Sequence, residues 1–322
     1  MAYGGEQRDG EAMGLGEIFG LLPLRKRLGE VAMVLRGDPY TPSSRFGVSS
    51  LAILQPKLSI RTWLGLTRAD KRIPLYNLFN HTQTPPEDGW SVRVTQVRDF
   101  RGKKRTYDSH NGTDFAIPVG TIVVAPAAGE VLRVCSEFHR GGLKVLIDHG
   151  SGVITTSNHL GRALVEAGQR VERAQPIALA GASGVDMVAG FPWTVPHVHF
   201  NVWLNGEPVD PFARAGEVAL WRAGNDPLPD HGAGDEEAFE PAAWDAQAVA
   251  EAIASCFDPQ LRAELGAVED PAQRAADVLF HLNYFPTRFA KRPGLYLKLH
   301  ERKGILDIPF RASDFVGVIH IE

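Results

Sequence analysis

The sequence predicts a mainly β core between residues 91 and 214, flanked by regions of mixed α and β structure. In this core, short segments rich in Val, Ile and Thr follow one another closely. Glycine-containing turns such as "HGSG" separate them, and no helical period exceeds two turns. Segments of this length and composition are typical of antiparallel sheets and sandwiches. At 322 residues, the chain is long enough for one large domain or two to three small ones.

The composition excludes several classes of protein. Hydrophobic residues make up 44% of the chain and charged residues 22%, as in ordinary globular proteins. The net charge of −4 creates no field that would recruit nucleic acid or an anionic membrane, so we expect no nucleic-acid partner. The N-terminal sequence lacks the basic and apolar regions of a signal peptide. No run approaches the roughly 18–20 apolar residues of a membrane span, so we predict no integral membrane segment.

The N-terminal region, residues 1–90, mixes helical and strand-like patterns. Leucine and valine recur at helical spacing over residues 15–36, which predicts an amphipathic helix. Apolar runs at 50–66 and 72–79 predict short strands, whereas the Pro, Asp and Gly content of 81–90 predicts a loop. These patterns assign no function to the region.

Five segments of the core predict strands. They are "SVRVTQVRDF" (91–100), "TIVVAPAAGEVLRV" (121–134), "LKVLIDHGSGVITT" (143–156), "QPIALAGASG" (175–184) and "HVHFNVWL" (197–204). After the core, Gly, Pro and acidic residues predict a linker over 215–241.

The C-terminal region, residues 242–322, predicts a small α+β unit that packs against the core. Its expected elements are a helix over 244–257, two helices that begin with Asp-Pro at Asp258 and Asp270, and strands around the turn "ERKG".

Three motifs in the core carry side chains that can do chemistry. The first is H-x-x-x-D, from His110 to Asp114; the second supplies His159; the third is H-x-H, which supplies His197 and His199. Because side chains alternate along a strand, the two histidines of H-x-H point to the same face. Each motif alone also fits hydrogen-bonded core histidines. Their joint placement in one β-rich region favours a shared site.

Such a set suits a hydrolytic zinc site. Catalytic zinc takes three protein ligands, such as imidazole and carboxylate, and keeps a fourth position for water. The metal lowers the pKa of that water toward about 7, which yields a nucleophile at neutral pH. Of His197 and His199, one could bind the metal while its neighbour acts as acid or base. His159 could donate a hydrogen bond to the oxyanion of a tetrahedral intermediate.

These motifs resemble those of the lysostaphin-type (LytM-type) zinc endopeptidases, family twenty-three of the metallopeptidases. Members carry H-x-G-x-D, a later H-L in a strand, and H-x-H followed by an aromatic residue. The matching segments are "HNGTD" (110–114), "NHL" (158–160) and "HVHF" (197–200). The segments "GTIVVAPAAGEV", "VLIDHGSGVIT" and "NGEPVDPF" also resemble the family, and all six elements occur in its order. The likeness covers roughly residues 95–214, about a third of the chain.

The resemblance implies a fold, a reaction and a role for each residue. It implies the antiparallel sheet of the lysostaphin-type fold and an enzyme that cleaves peptide bonds in peptidoglycan cross-links or bridges. Such an enzyme would act in the cell envelope. By this likeness, His110, Asp114 and His199 would hold zinc. His197 would be the general base, and His159 would stabilise the transition state.

Two features depart from the family's pattern. Ser157 stands where the family often has an aromatic residue that helps to form the floor of the substrate groove. The segment 185–195, "VDMVAGFPWTV", lengthens the connection before His197, and it is expected to rim the groove or to form a packed loop tip.

Two other functions also fit the sequence. One is a zinc-containing module that binds cell-wall peptides or regulates another hydrolase without cleaving, although members that act this way usually lose zinc ligands. The other is an intracellular metallopeptidase with a different substrate, which would agree with the lack of a predicted export signal. The intact ligand set favours the peptidoglycan endopeptidase.

The other histidines and both cysteines are predicted to be structural or exposed. His149 is expected in a turn that packs near the sheet. Cys135 and Cys256 lie in no metal or redox spacing, so we expect reduced thiols. The remaining histidines are His81, His139, His231, His281, His300 and His320.

Overall fold

The computed structural model of the protein describes residues 12–230 and 239–321. The strands are β1 (Arg72–Asn77), β2 (Thr113–Ala116), β3 (Ile122–Val124), β4 (Gly129–Glu137), β5 (Gly142–Asp148), β6 (Val153–Ala163), β7 (Arg170–Val171), β8 (Pro176–Ala180), β9 (His197–Leu204), β10 (Glu207–Val209) and β11 (Gly317–His320). The α-helices are α1 (Leu15–Ile18), α2 (Leu24–Arg36), α3 (Pro56–Trp63), α4 (Val185–Ala189), α5 (Ala246–Ala254), α6 (Pro259–Ala267) and α7 (Pro271–Tyr284). Short 3-10 helices are Val48–Ile53, Leu66–Asp70, Pro86–Asp88 and Pro286–Arg288. None of the described helices is both long and apolar enough to cross a bilayer.

The eleven strands of the described residues form one sheet. Its main order is β11-β1-β2-β9-β6-β5-β4-β7, with β10 beside β9 and β8 pairing with β3 and β6. Every pair is antiparallel except β1 and β11, which run parallel. The predicted mainly β core is therefore confirmed, and the one parallel pair makes the sheet mixed. Because β2 and β6 flank β9, the three histidine motifs lie on or beside adjacent strands.

Successive side chains of β9 point alternately to the two faces of the sheet. Val198, Phe200 and Val202 point into the main hydrophobic core. The residues of β9 on the opposite face are His197, His199, Asn201 and Trp203. The strand pattern thus places the imidazoles on the face away from the main core.

Helices of the C-terminal region cover part of the face that bears the histidines. Side chains of α5, α6 and α7 form a second hydrophobic cluster with Leu146, Ile154 and Trp203 of the sheet. Each of these helices begins at an aspartate whose carboxylate accepts one or two hydrogen bonds from backbone N–H groups of the first turn. The capping residues are Asp245, Asp258 and Asp270. The helix starts predicted at Asp258 and Asp270 are confirmed, and the helix predicted over 244–257 is present as α5.

The N-terminal region is more helical than its sequence predicts. The single helix expected over 15–36 is two helices, because the chain turns at Gly20 (φ 65°) and Pro23 has no N–H to continue a helical ladder. The run at 50–66, expected as strands, forms a 3-10 helix followed by α3. Pro56 stands at the first position of α3, where the missing N–H breaks no helical bond. A short apolar run fits either periodicity, and here the strand prediction is wrong.

Residues 91–100 form no strand, because side chains take up their backbone donors. The N–H groups of Thr95 and Gln96 donate to Asp108 Oδ1 at 2.8 and 3.3 Å. Arg98 N–H donates to the Asn80 side chain at 3.2 Å. Asn and Asp side chains compete in this way with strand pairing, and here they prevent it.

The strands predicted around "ERKG" are also wrong, except for β11. The backbone between Tyr296 and Phe310 bonds to several different segments in turn, so it forms isolated bridges but no continuous strand pairing. Leu297 N–H donates to Ala243 O at 2.8 Å, whereas Leu306 N–H bonds to Leu220 O at 2.9 Å.

Part of the predicted linker lies outside the described residues. Residues 231–238, and with them His231, belong to this part. The division of the chain into 1–90, 91–214, 215–241 and 242–322 stays a prediction.

A buried ion pair lies between the sheet and α7. The Lys144 ammonium donates to Glu137 Oε2 at 2.7 Å and sits 4.7 Å from the centroid of the Tyr284 ring. Lys144 is fully buried. Burial alone would raise the pKa of Glu137, but the Lys144 charge and hydrogen bond lower it to about 2.

We expect Lys144→Met to lower the free energy of unfolding by about 3–5 kcal/mol at pH 7, because it leaves the largely buried Glu137 carboxylate without its ammonium partner. The pKa of Glu137 in the folded protein lies below its ordinary value of 4.5. The stabilisation is therefore fully present above pH 4.5 and is lost as the pH falls toward 2. Urea unfolding at pH 7 and pH 4 measures this difference. The double variant Lys144→Met with Glu137→Gln should recover stability; an equal loss in both variants would contradict the explanation.

Candidate active site

Three potential metal ligands converge at the junction of β2 and β9. Asp114 of β2 lies directly opposite His199 of β9, and His110 precedes β2. His199 Nδ1 lies 2.7 Å from Asp114 Oδ1, and His110 Nε2 lies 3.1 Å from the same oxygen. The two imidazole nitrogens are 3.1 Å apart. All three side chains are buried, so one small ion could contact the three atoms at once.

Residues at the end of β1 orient two of these ligands. His110 Nδ1 donates to the Leu78 carbonyl at 2.7 Å, which leaves the lone pair of Nε2 directed into the site. The Asn77 amide donates to Asp114 Oδ2 at 2.8 Å, which leaves Oδ1 free to face the two histidines. Burial alone would raise the pKa of Asp114, but the charges of His110 and His197 help to hold it well below its usual range.

Replacing Asn77 with alanine should weaken zinc binding by about 10–100-fold, the usual effect of removing a partner that orients a metal ligand. Asp114 Oδ2 would lose its donor, so the carboxylate could rotate away from the site. Competition with a fluorescent zinc chelator gives the affinity. Asn77→Asp is the matched control of similar size: it has no amide donor and should bind zinc at least as weakly. Unchanged affinity in both variants would contradict this role.

His197 faces the same site with a defined tautomer. Its Nδ1 lies 2.7 Å from the Val195 carbonyl, which can only accept, so Nδ1 carries the proton and Nε2 is an acceptor. The Tyr76 hydroxyl lies 2.8 Å from the same Nδ1. His197 Nε2 is 3.7 Å from Asp114 Oδ1, beside the three potential ligands. Burial lowers the pKa of His197 to about 4, so the imidazole is neutral at pH 7.

His159 completes the group from β6. Its Nδ1 donates to the Ser183 carbonyl at 2.7 Å, and its ring centroid lies 4.6 Å from that of His197. Nε2 therefore donates a hydrogen bond only in the imidazolium form, and the Asp186 carboxylate lies 3.5 Å from it. The His159 backbone has φ 60°, a left-handed conformation that residues with side chains seldom adopt.

A row of hydrogen-bonded side chains joins the site to the C-terminal helices. Asn201 Nδ2 lies 2.9 Å from His199 Nε2, and Asn201 Oδ1 accepts from Asn158 Nδ2 at 3.0 Å. Asn158 Oδ1 in turn accepts from the Tyr284 hydroxyl at 2.8 Å. Tyr284 is the last residue of α7, so the C-terminal region contacts the site through polar groups as well as apolar ones.

Ser157, which was expected near the groove floor, faces the main core instead. It lies opposite Phe200 in the β6–β9 pair and so shares the face of Phe200. Asn158 lies opposite His199 and takes the place on the groove side. This expectation about Ser157 is wrong, because the strand register puts it on the other face of the sheet.

The segment 185–195 forms α4 and a loop beside His197. Phe191 and Trp193 are about half exposed. The Phe191 ring packs edge-on against Trp63 of α3, with centroids 5.3 Å apart. The segment thus joins the N-terminal region to the edge of the site, and its Asp186 reaches His159.

The structure brings all five sequence-predicted residues together, and it adds partners that the motifs do not contain. The largest omission is β1, which supplies Tyr76 and Asn77 and is followed by Leu78. The sequence holds one signal for them: Tyr76 and Asn77 are polar groups inside the otherwise apolar run "LYNLF". In the structure, this part of β1 is buried. The assignment of metal and catalytic roles to the five residues stays a prediction.

Comparisons with known proteins agree with the motifs. Residues 108–211 match the sequence profile of "Peptidase family M23". Peptidoglycan DD-endopeptidase ShyB of Vibrio cholerae is 44% identical over 101 residues, which are 31% of this chain and 22% of that protein. ShyA, a peptidoglycan DD-endopeptidase of the same organism, is 40% identical over 101 residues, with the same shares. An uncharacterized metalloprotease of Haemophilus influenzae is 38% identical over 102 residues, 32% of this chain and 20% of that protein. The matched part of the chain spans about a fifth of the length of these relatives.

Solved structures with similarity to this chain include two peptidases. A zinc-containing peptidase from Vibrio cholerae is 34% identical, with a TM-score of 0.32, over 42% of this chain and 35% of that chain. The catalytic domain of lysostaphin from Staphylococcus simulans is 27% identical, with a TM-score of 0.28, over 32% of this chain and 77% of that chain. Together with the six ordered motifs, the sequence matches show that residues 108–211 belong to peptidase family M23.

Proposed function

We propose that the protein is a zinc-dependent endopeptidase that hydrolyses peptide bonds of peptidoglycan. The observation that carries the proposal is the convergence of His110 Nε2, Asp114 Oδ1 and His199 Nδ1, with His197 Nε2 beside them. The names of the relatives ShyA and ShyB support the substrate. Such a substrate implies that the protein acts in the cell envelope.

The side chains fit a catalytic zinc ion. Two imidazole nitrogens and one carboxylate oxygen are a donor set that zinc uses in hydrolases. The partners behind them fit as well, since His110 bonds a backbone carbonyl and Asp114 accepts from an amide, and such partners normally fix metal ligands. When bound, zinc would act as a Lewis acid and lower the pKa of a coordinated water toward about 7.

The two remaining histidines handle protons and charge in this proposal. His197 Nε2 accepts a proton from the attacking water and later gives it to the leaving amine, because its Nδ1 proton is held by the Val195 carbonyl. His159, whose Nδ1 bonds the Ser183 carbonyl, donates from Nε2, when that atom carries a proton, to the negative charge that develops on the carbonyl oxygen.

Mass spectrometry of muropeptides tests the proposal. Purified sacculi are incubated with the zinc-loaded full chain, with and without a chelator, and cross-linked species are quantified. We expect a loss of cross-linked species that the chelator abolishes and that added zinc restores. The same treatment with His199→Ala protein is the control for contaminating hydrolases. No loss of any species with zinc-loaded protein would contradict the hydrolytic function.

A further inference from the structure

A cavity of about 420 Å³ lies beside the candidate active site, between segments of the N-terminal region, the core and the C-terminal region. Gln83 and Trp90 line it from the N-terminal region, Asn111 and Arg140 from the core, and Tyr284 from the end of α7. Cavities of about 300–1,000 Å³ hold small ligands, so this one has room for the end of a short peptide.

Arg140 is the cavity's unpaired cation. It lies in the turn between β4 and β5, with its guanidinium 4.9 Å from the centroid of the Trp90 ring. Its Nε is enclosed and has no hydrogen-bond partner, and no carboxylate within the described ranges forms an ion pair with it. By contrast, the cavity's other arginine, Arg292, bonds Glu87 at 2.7 Å. Burial lowers the pKa of Arg140 to about 10, well above neutral pH, so the guanidinium remains charged.

Several contacts connect this cation to the active site. The carbonyl of Gly141, the next residue, accepts from the His159 N–H at 2.8 Å. On the other side, Trp90 contacts Tyr107, with ring centroids 6.4 Å apart, and Tyr107 contacts His110 at 4.7 Å. Arg140 is therefore placed within a few side chains of both His110 and His159.

We propose that this cavity is a substrate subsite in which Arg140 binds the C-terminal carboxylate of the peptide. The inference rests on the proposed peptidase function. A guanidinium presents paired N–H donors that match the two oxygens of a carboxylate, and such charge-assisted bonds are strong where water is excluded. A peptide offers anions only as carboxylates, and the size of the cavity suits a chain end.

Calorimetry with two synthetic peptides tests the subsite. The probes are a stem peptide that ends in two D-alanine residues with a free carboxylate, and the same peptide with a C-terminal amide. Binding is measured in full-length His197→Ala protein loaded with zinc, so that neither peptide is consumed. We expect the acid to bind at least about tenfold more tightly than the amide, as one charge-assisted hydrogen bond implies. Adding Arg140→Gln should remove this preference.

Two further variants separate charge from folding. Arg140→Lys keeps the charge but loses the planar pair of donors, so the preference should shrink without vanishing. Arg61→Gln, which removes an exposed arginine paired with Asp70, should leave the preference unchanged. Equal binding of acid and amide before any Arg140 change would overturn the subsite, even if the Arg140 variants fail to fold.

The outcomes for the subsite and for the hydrolytic function are distinct. Chelator-sensitive hydrolysis by the unaltered protein without any preference for the acid would overturn the subsite alone. A preference that depends on Arg140, without hydrolysis by the unaltered protein, would support the subsite and contradict the peptidase function.

Discussion

Replacing His199 with alanine should remove bound zinc and hydrolysis together. His199 contributes one of three converging donor atoms and faces Asp114 Oδ1 at 2.7 Å. A metal supplies several kcal/mol of transition-state stabilisation in such sites, and each 1.36 kcal/mol is a factor of ten in rate. We therefore expect a fall in kcat/KM of at least about 10³-fold. Zinc content by mass spectrometry and hydrolysis rates, measured on the same preparation, check this result.

The matched control for this variant is His300→Ala, which removes an imidazole outside the site and should keep both zinc and activity. Circular dichroism shows whether each variant is folded. A folded His199→Ala protein that cleaves at the original rate would exclude His199 as a ligand.

Replacing His197 with alanine should separate metal binding from turnover. His197 Nε2 lies 3.7 Å from Asp114 Oδ1, beyond the three atoms that converge, so we expect zinc to stay bound in one equivalent. Loss of a general base lowers rates by about 10²–10⁴-fold. The expected result is therefore a zinc-loaded protein with a severely reduced kcat.

Two measurements distinguish the roles of the two histidines. Cobalt-substituted protein should show the same visible absorption in His197→Ala as in the unaltered chain, and an altered or absent band in His199→Ala. If His197→Ala loses zinc to the same degree as His199→Ala, then His197 is a ligand and the assignment of the base is wrong.

The sequence was sufficient to predict four of the five strand segments of the core region and the convergence of its histidine motifs. Period-two alternation puts His197 and His199 on one face, and the predicted strands at 121–134, 143–156, 175–184 and 197–204 are all present. Local patterns suffice there because these strands contribute apolar side chains to the main hydrophobic core and most are bounded on at least one side by a turn that contains glycine.

The contributions of distant segments could not be predicted in this way. The contact from Asn77 to Asp114 depends on β1 pairing with β2 across a long irregular segment. The contact from Tyr284 to Asn158 depends on α7 lying over the sheet. Neither follows from a local period, because both arise when elements far apart in sequence pack together. The same cause explains the missing strand at 91–100, whose donors bond to side chains from other parts of the chain.

The pairing of β1 with β2 and of β11 with β1 has a consequence for fragments. The segment that matches the peptidase family, 108–211, contains β2 but neither β1 nor β11. Expressed alone, it would leave the backbone N–H and C=O groups on the outer side of β2 unpaired at the edge of the sheet. Such an exposed edge strand can pair with the same strand of another molecule. The segment would also lack the amide of Asn77 and the carbonyl of Leu78 that orient two ligands. We therefore expect the smallest folded piece that keeps the candidate site to be larger than residues 108–211, because β1 and β11, which lie outside this segment, complete the sheet.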